Sequence, residues 1–346
     1  MFIWHQQEWQ QLTSVKSLHH GLMITGSGGI GKREFCLSFV KYLLCDNTGL
    51  KTGEEGCDQC QSCELFRAGT HPDFHLITSE VESAQARISL ISAYGDRYQN
   101  VLARDKKAKP GKIITVDQIR QLIRNFSTQS HISSHKVVLI MPADAMNTNA
   151  SNALLKLLEE PPGNSTLILM TPSPGFLPAT IRSRCMVVNL SNPGNHVALE
   201  WLSQFMDQDA AELSLELANG GPLNAKLLFD NGFLETRSQY MNQLIDMVSS
   251  RITPLALAMD LSKSDLPAFL DWFQGFICEL ITWRVSHVAP KRFDVSDRVW
   301  STKSFSVEKL YGLYDRIGFY RGIVREPINA QLVTEDLVLM LRSAIR

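Results

Sequence analysis

The segment "ITGSGGIGKRE" (Ile24–Glu34) decides how the chain is read. Gly26, Gly31 and Lys32 stand where the phosphate-loop pattern G-x-x-x-x-G-K-[ST] requires them, and Gly28 and Gly29 fall between. The last position should be Ser or Thr and is Arg33. Upstream, "GLMIT" (Gly21–Thr25) is a short apolar run; downstream, Phe35, Phe39, Leu43 and Leu44 recur at helical spacing. Strand, glycine turn and helix are the context in which backbone N–H groups and a helix N-terminus cradle phosphate. In a working loop the Ser or Thr hydroxyl holds Mg²⁺, which neutralises charge during phosphoryl transfer. Arg33 has donors and no acceptor, so it cannot replace that hydroxyl.

Working outward, "DFHLIT" (Asp73–Thr78), "KVVLIM" (Lys136–Met141), "STLILMT" (Ser165–Thr171) and "CMVVNL" (Cys185–Leu190) read as further strands. The last three are apolar enough to be buried on both faces. "TVDQIRQLIRNF" and "NTNASNALLKLLEE" read as helices, the first started by Thr115 or Asp117, the second stopped by Pro161-Pro162. Strands alternating with helices predict an α/β domain with a parallel sheet over residues 1–190. Beyond Ser191-Asn192-Pro193-Gly194 helical periodicity takes over, which predicts a small helical domain over 191–235 and a larger one over 236–346. Residues 80–112 make a long connection with a basic tail, "RDKKAKPGK". It reads as a solvated flexible loop, with a DNA-touching loop as the minority reading.

Cys45, Cys57, Cys60 and Cys63 form C-x11-C-x2-C-x2-C in a polar, glycine-rich insert at 45–63. Four thiolates can close a tetrahedral zinc shell with no position left for a substrate, so the site reads as structural. The rival is an iron–sulfur cluster, but that run expects a fourth Cys three residues on, and Glu64-Leu65-Phe66-Arg67 follow instead. His71 could stand in for Cys45. Cys36, Cys185 and Cys278 read as small buried hydrophobes.

Composition narrows the classes. The chain has 34 basic and 35 acidic residues, so its overall charge does not argue for nucleic-acid binding on its own. Neither an export signal nor an apolar run near the ~18 residues of a membrane span is expected, which points to a cytoplasmic protein. A P-loop ATPase also needs an Asp, often Asp-Glu, at the end of a second strand. In "VVLIMPADAM" those places fall on Met141 and Pro142, and Asp144 comes later. A shorter strand could recruit Asp144. Loss of both the hydroxyl and the acids points to a binding surface kept while hydrolysis is lost. A zinc-ribbon nucleic-acid reader on a borrowed ATPase fold is a further reading, but the insert has few basic or aromatic residues to support it.

"VVLIMPADAMNTNASNALLKLLEEPP" resembles the clamp-loader branch of the AAA+ ATPases: Asn152–Pro162 match Asn-Ala-Leu-Leu-Lys-x-Leu-Glu-Glu-Pro-Pro. "TIRSRC" supplies Ser183-Arg184-Cys185, similar to that family's Ser-Arg-Cys motif, and Gly69–Phe74 with the four-cysteine insert fit the bacterial members. The resemblance covers about 1–190. It implies an AAA+ domain with a zinc insert, then a lid and a collar domain. It also implies a non-hydrolysing member of the bacterial DNA polymerase III clamp loader, partnered by delta and gamma/tau chains. That ring opens the sliding clamp and places it on primed DNA. Arg184 would then be an arginine finger in trans, and Gly26, Gly28, Gly29, Gly31 and Lys32 a vestigial phosphate loop with weak ATP binding at most. Asn224 stands near the place of the family's lid sensor arginine. The alternative is an active gamma/tau-like ATPase.

Overall fold

The computed structural model describes residues 2–15, 17–47, 55–84, 86–99, 110–126, 131–287, 304–323 and 328–345. Two compact units emerge: Met1–Ala198 with Gly221–Asn224, and Leu199–Gly220 with Ala225–Arg346. The first contains α1 (Gln6–Ser14), β1 (Gly21–Gly26), α2 (Lys32–Leu44), α3 (Gln61–Arg67), β2 (Phe74–Ile77), α4 (Glu80–Ala84) and α5 (Ser89–Gly95). It continues through α6 (Val116–Phe126), β3 (Lys136–Ile140), α7 (Thr148–Glu159), β4 (Ser165–Met170), α8 (Ala179–Arg182) and β5 (Met186–Leu190).

The five strands form one parallel sheet in the order β2-β3-β4-β1-β5. Successive residues feed opposite faces, as the period of a strand dictates. Leu22, Ile24, Val137 and Leu139 join Trp9, Phe35 and Phe39 in one layer. Met23, Val138, Ile140 and Leu167 join Ile119, Leu122 and Leu154 in the other. Helix starts follow the sequence signals. Thr115 and Gln118 form a reciprocal cap on α6, the Thr115 N–H donating to Gln118 Oε1 at 2.8 Å. Asn147 caps α7 by accepting from the Ala150 N–H at 2.8 Å.

Three expectations change. β5 is not buried on both faces: Val188 and Leu190 pack into the layer with Trp9, while Val187 and Asn189 on the other face, and Met186 at the strand's start, are left uncovered. Residues 80–112 are not all loop. α4, α5 and a 3-10 turn at Asp96–Tyr98 occupy their first part, and Ile91, Tyr94 and Tyr98 are buried at helical spacing. Residues 100–109, with most of the basic stretch, lie outside the described residues. Cys36 is buried as expected, but Cys185 is half-buried and Cys278 is exposed on its helix.

The second unit is helical. Its core joins Leu244 and Met247 of helix Phe233–Val248 to Phe269 and Phe273 of helix Leu266–Ser286. Leu313 of helix Val307–Ile323 and Leu337 and Leu341 of helix Ala330–Ala344 complete it. No helix among the described residues is long and apolar enough to cross a membrane.

One buried carboxylate ties the start of β2 to the segment entering β3. Asp73 is fully buried and accepts from the N–H groups of His131, Ile132 and Ser133 at 2.7, 2.8 and 2.9 Å. Burial pushes its carboxyl pKa up, but the three N–H bonds outweigh burial and hold it below the ordinary 3.8. The folded-state pKa is depressed, so this stabilisation is complete above the unfolded value and is lost as pH falls through the folded value. Asp73→Asn is expected to cost about 2–4 kcal/mol by denaturant titration at pH 7. The gap to wild type should narrow as the titration is repeated below the ordinary 3.8.

Candidate functional site

The loop from β1 to α2 turns through three glycines with positive φ: Gly26 at 142°, Gly29 at 73° and Gly31 at 93°. L-residues reach this region at a cost, so the sequence must spend glycine here. Contact forbids side chains as well. A Cβ on Gly26 would lie 2.5 Å from the Leu190 carbonyl oxygen, and one on Gly29 2.7 Å from the backbone nitrogen of Asn224. One on Gly31 would lie 2.4 Å from the Phe2 ring.

The chain's own segments fasten the loop. Leu223 donates its N–H to Gly29 O at 2.8 Å. Trp4 Nε1–H and His5 Nε2–H both donate to Ile30 O, at 2.9 and 2.7 Å. Phe2 stacks on Trp4 with centroids 4.6 Å apart. Lys32 is buried, and its ammonium turns back to donate to Gly26 O at 2.9 Å and to Ser27 O. Burial lowers its pKa, with Asp144 and Glu34 among the charges opposing that shift. Gly28 faces the Asn224 side chain, 3.2 Å from where its Cβ would stand.

The positions that would carry magnesium chemistry are otherwise engaged. Arg33, in place of the hydroxyl, pairs with Glu82 of α4. Met141, at the strand end, is fully buried, its N–H bonded to Ile77 O at 3.0 Å. Asp144 sits in a 3-10 turn past the strand and accepts from Thr171 Oγ1 at 2.7 Å. Sequence reading placed Asp144 beyond the strand but missed Thr171, Glu82 and the clasp by Phe2, Trp4 and His5. The aromatic run at the N-terminus was the available signal for that clasp.

Ser183-Arg184-Cys185 forms the turn between α8 and β5. Arg184 keeps 37% of its side chain exposed. Its Nη2 pairs with Glu159 Oε1 at 2.7 Å, and its Nη1 donates to Thr180 O at 3.0 Å. Arg182 beside it is exposed.

The four insert cysteines converge. All four Sγ atoms lie within 4.8 Å of one another, and Cys45 and Cys60 sulfurs are 4.0 Å apart. A tetrahedral ion with bonds of ~2.3 Å needs sulfurs ~3.8 Å apart, so the set fits a metal with small adjustment. Cys45 ends α2 and Cys60 precedes α3, so both helices anchor the cluster. The Cys57 N–H donates to Cys45 Sγ and the Cys60 N–H to Cys57 Sγ, each at 3.3 Å. These bonds favour thiolates, the form that binds metal. Gly56, with φ 101°, leaves room for the Cys63 sulfur, 3.2 Å from where its Cβ would stand. His71 is buried with Nδ1 accepting from the Asp73 N–H, and it is not in the cluster.

Comparison with known proteins identifies the family. A family model described as "DNA polymerase III, delta subunit" matches residues 5–194. DNA polymerase III subunit delta' of Pseudomonas aeruginosa is 32% identical over 290 residues, 83% of this chain and 79% of that one. The Escherichia coli subunit delta' is 30% identical over 328 residues, 93% and 89% of the two chains. Among solved structures, a DNA polymerase III gamma subunit-related protein from Thermotoga maritima superposes with a TM-score of 0.50 at 17% identity, covering 98% of each chain. That likeness speaks to the fold alone, an α/β domain followed by helices. The chain belongs to the DNA polymerase III subunit delta' family.

Proposed function

We propose that this chain is the non-hydrolysing subunit of a DNA polymerase III clamp loader. It assembles with delta and gamma/tau chains, in a ring that opens the sliding clamp and places it on primed DNA, and it works in the cytoplasm. The observation that carries the reading is one contrast within the first unit. The domain's own loop has Arg33 and Met141 where Mg²⁺ chemistry needs a hydroxyl and an acid, while Arg184 stands half-exposed on the surface. Arg184 then serves a neighbour's γ-phosphate, a task suited to a planar and permanently charged fork. Exposed Met186 and Val187 follow it in sequence, and Phe176, 81% exposed, precedes it, which supports a protein-facing surface.

The domain assignment follows: an AAA+ domain over 1–190, a lid over 191–235 and a collar over 236–346. The last boundary falls within the helix Phe233–Val248, whose Tyr240, Met241 and Leu244 enter the helical core of the proposed collar. The four cysteines hold zinc, which supplies the covalent-strength crosslink that a polar insert lacks. The second reading, an active motor, draws on Asp144 and its bond to Thr171 near Lys32.

Three outcomes are expected. Purified protein should carry about one zinc per chain by elemental analysis; iron with visible absorption, or no metal in chelator-free preparations, contradicts the site. Cys60→Ser should release the metal and loosen the insert while leaving the sheet's melting transition nearly unchanged. The isolated chain should not turn over ATP, although the loop can accept a phosphate weakly. Magnesium-dependent hydrolysis abolished by Lys32→Ala would establish the motor reading instead. In a reconstituted ring, Arg184→Ala should leave folding, zinc and assembly intact. It should lower ATPase partially, because other sites remain, and lower clamp loading more. Fingers supplied in trans are worth roughly 10³–10⁵ in rate at their own site in GTPases. Arg184→Lys should rescue poorly for want of the fork, and substitution of Arg182 should have the smaller effect. Normal loading by the Arg184→Ala ring removes the finger.

A further inference from the structure

Arg184 does not wait with its donors free. Its two terminal nitrogens are both engaged inside the chain, Nη2 by Glu159 at 2.7 Å and Nη1 by Thr180 O at 3.0 Å, with Ser183 Oγ a longer contact at 3.5 Å. Glu159 is the last residue of α7, where the helix dipole places negative partial charge. The guanidinium is therefore folded back onto an anionic spot of its own subunit.

We infer that Glu159 is a latch for Arg184: a positioning residue that holds the finger withdrawn and must release it before the finger can reach a neighbour's nucleotide. The inference rests on the proposed role of Arg184 as a finger in trans. The physical ground is competition. A carboxylate and a triphosphate oxygen seek the same guanidinium edge: each Nη keeps a second N–H, but the pair with Glu159 turns the fork toward its own subunit and sets a carboxylate against an incoming phosphate. The anchoring of the latch is firm while the finger is free to turn. The Leu158 carbonyl beside Glu159 accepts from His20 Nε2 at 2.8 Å, and a Cβ on Gly21 would meet the Leu158 side chain at 3.2 Å. The end of α7 is thus packed against the start of β1. Arg184 and Glu159 themselves keep 37% and 50% of their side chains exposed, so the pair opens at the surface, at the cost of the Thr180 bond and not of the core.

Exposure also sets the strength. Half-exposed pairs of this kind are worth little, so the latch is light and a multiply charged phosphate displaces it. Once displaced, Glu159 stays behind as a like charge near the phosphate.

The test uses the isolated subunit and the reconstituted ring. In the isolated subunit, Glu159→Gln keeps shape and removes charge. The Arg184 side-chain N–H signals in NMR should exchange with water faster than in wild type. In the ring, Glu159→Gln should lower the ATP concentration giving half-maximal clamp loading by roughly 1.5- to 5-fold, the range expected for an exposed pair. In an Arg184→Ala ring the same substitution should change nothing, because the latch has lost its bolt. Unchanged exchange and unchanged ATP dependence overturn the latch, as does an equal effect of Glu159→Gln with and without Arg184. A ring in which Arg184→Ala alone has no effect overturns the finger reading itself, which separates the two failures.

Discussion

The structure depends on how closely the end of β1 is packed. Gly26 lies against the backbone of Leu190, with no space for even a methyl group. β1 is inserted between β4 and β5, so its end can leave the sheet only through a tight turn. Three positive-φ glycines make that turn and aim α2 back over the sheet, where Phe35 and Phe39 meet Trp9 edge-to-face at 5.8 Å. The loop geometry therefore belongs to the core. It persists for packing reasons whether or not a phosphate ever enters it.

That coupling makes the loop's shape independent of which residues stand at its chemical positions. Arg33 and Met141, where a phosphate-loop ATPase carries a hydroxyl and an acid, each have a structural partner. Arg33 gains Glu82 on α4, and Met141 joins the apolar layer under α2. Lys32 bonds to the loop's own carbonyls and is shielded from water. The loop is a self-satisfied turn, with the N-terminal aromatics closing it from outside.

The sheet was legible in the sequence because parallel strands must be apolar on both faces, and Lys136–Ile140 and Ser165–Met170 show it without interruption. The cysteine centre was legible because two-residue gaps dictate convergence. Other features left weaker marks. β5 has the same apolar letters as its neighbours, and only the packed fold reveals that one face is left uncovered. α5 is seven residues long, and its stripe of Ile91 and Tyr94 is too short for periodicity to stand out. The clasp of Trp4 and His5 on Ile30 joins residues 26 and 25 apart through side-chain donors: the aromatic run marks one partner, and no local pattern names the other. Cys278 was misread because a small apolar residue on a helix has no sign of which way it faces until the helices are packed.

The same limit applies to the pair on which the proposed latch rests. Glu159 and Arg184 belong to separate motifs when the sequence is read, one ending a helix and one opening a strand. The fold makes them neighbours because α7 ends and β5 begins beside the start of β1: one Cβ on Gly21 would meet both the Leu158 side chain and the Arg184 carbonyl. A glycine there is needed for close approach, since a Cβ would stand 2.9 Å from that oxygen. The strand that leads into the phosphate loop at one end therefore sets, at its other end, the distance between a carboxylate and a guanidinium. Rigidity of β1 from Gly21 to Gly26 therefore bears on the phosphate-loop turn at one end and on the Arg184 turn at the other.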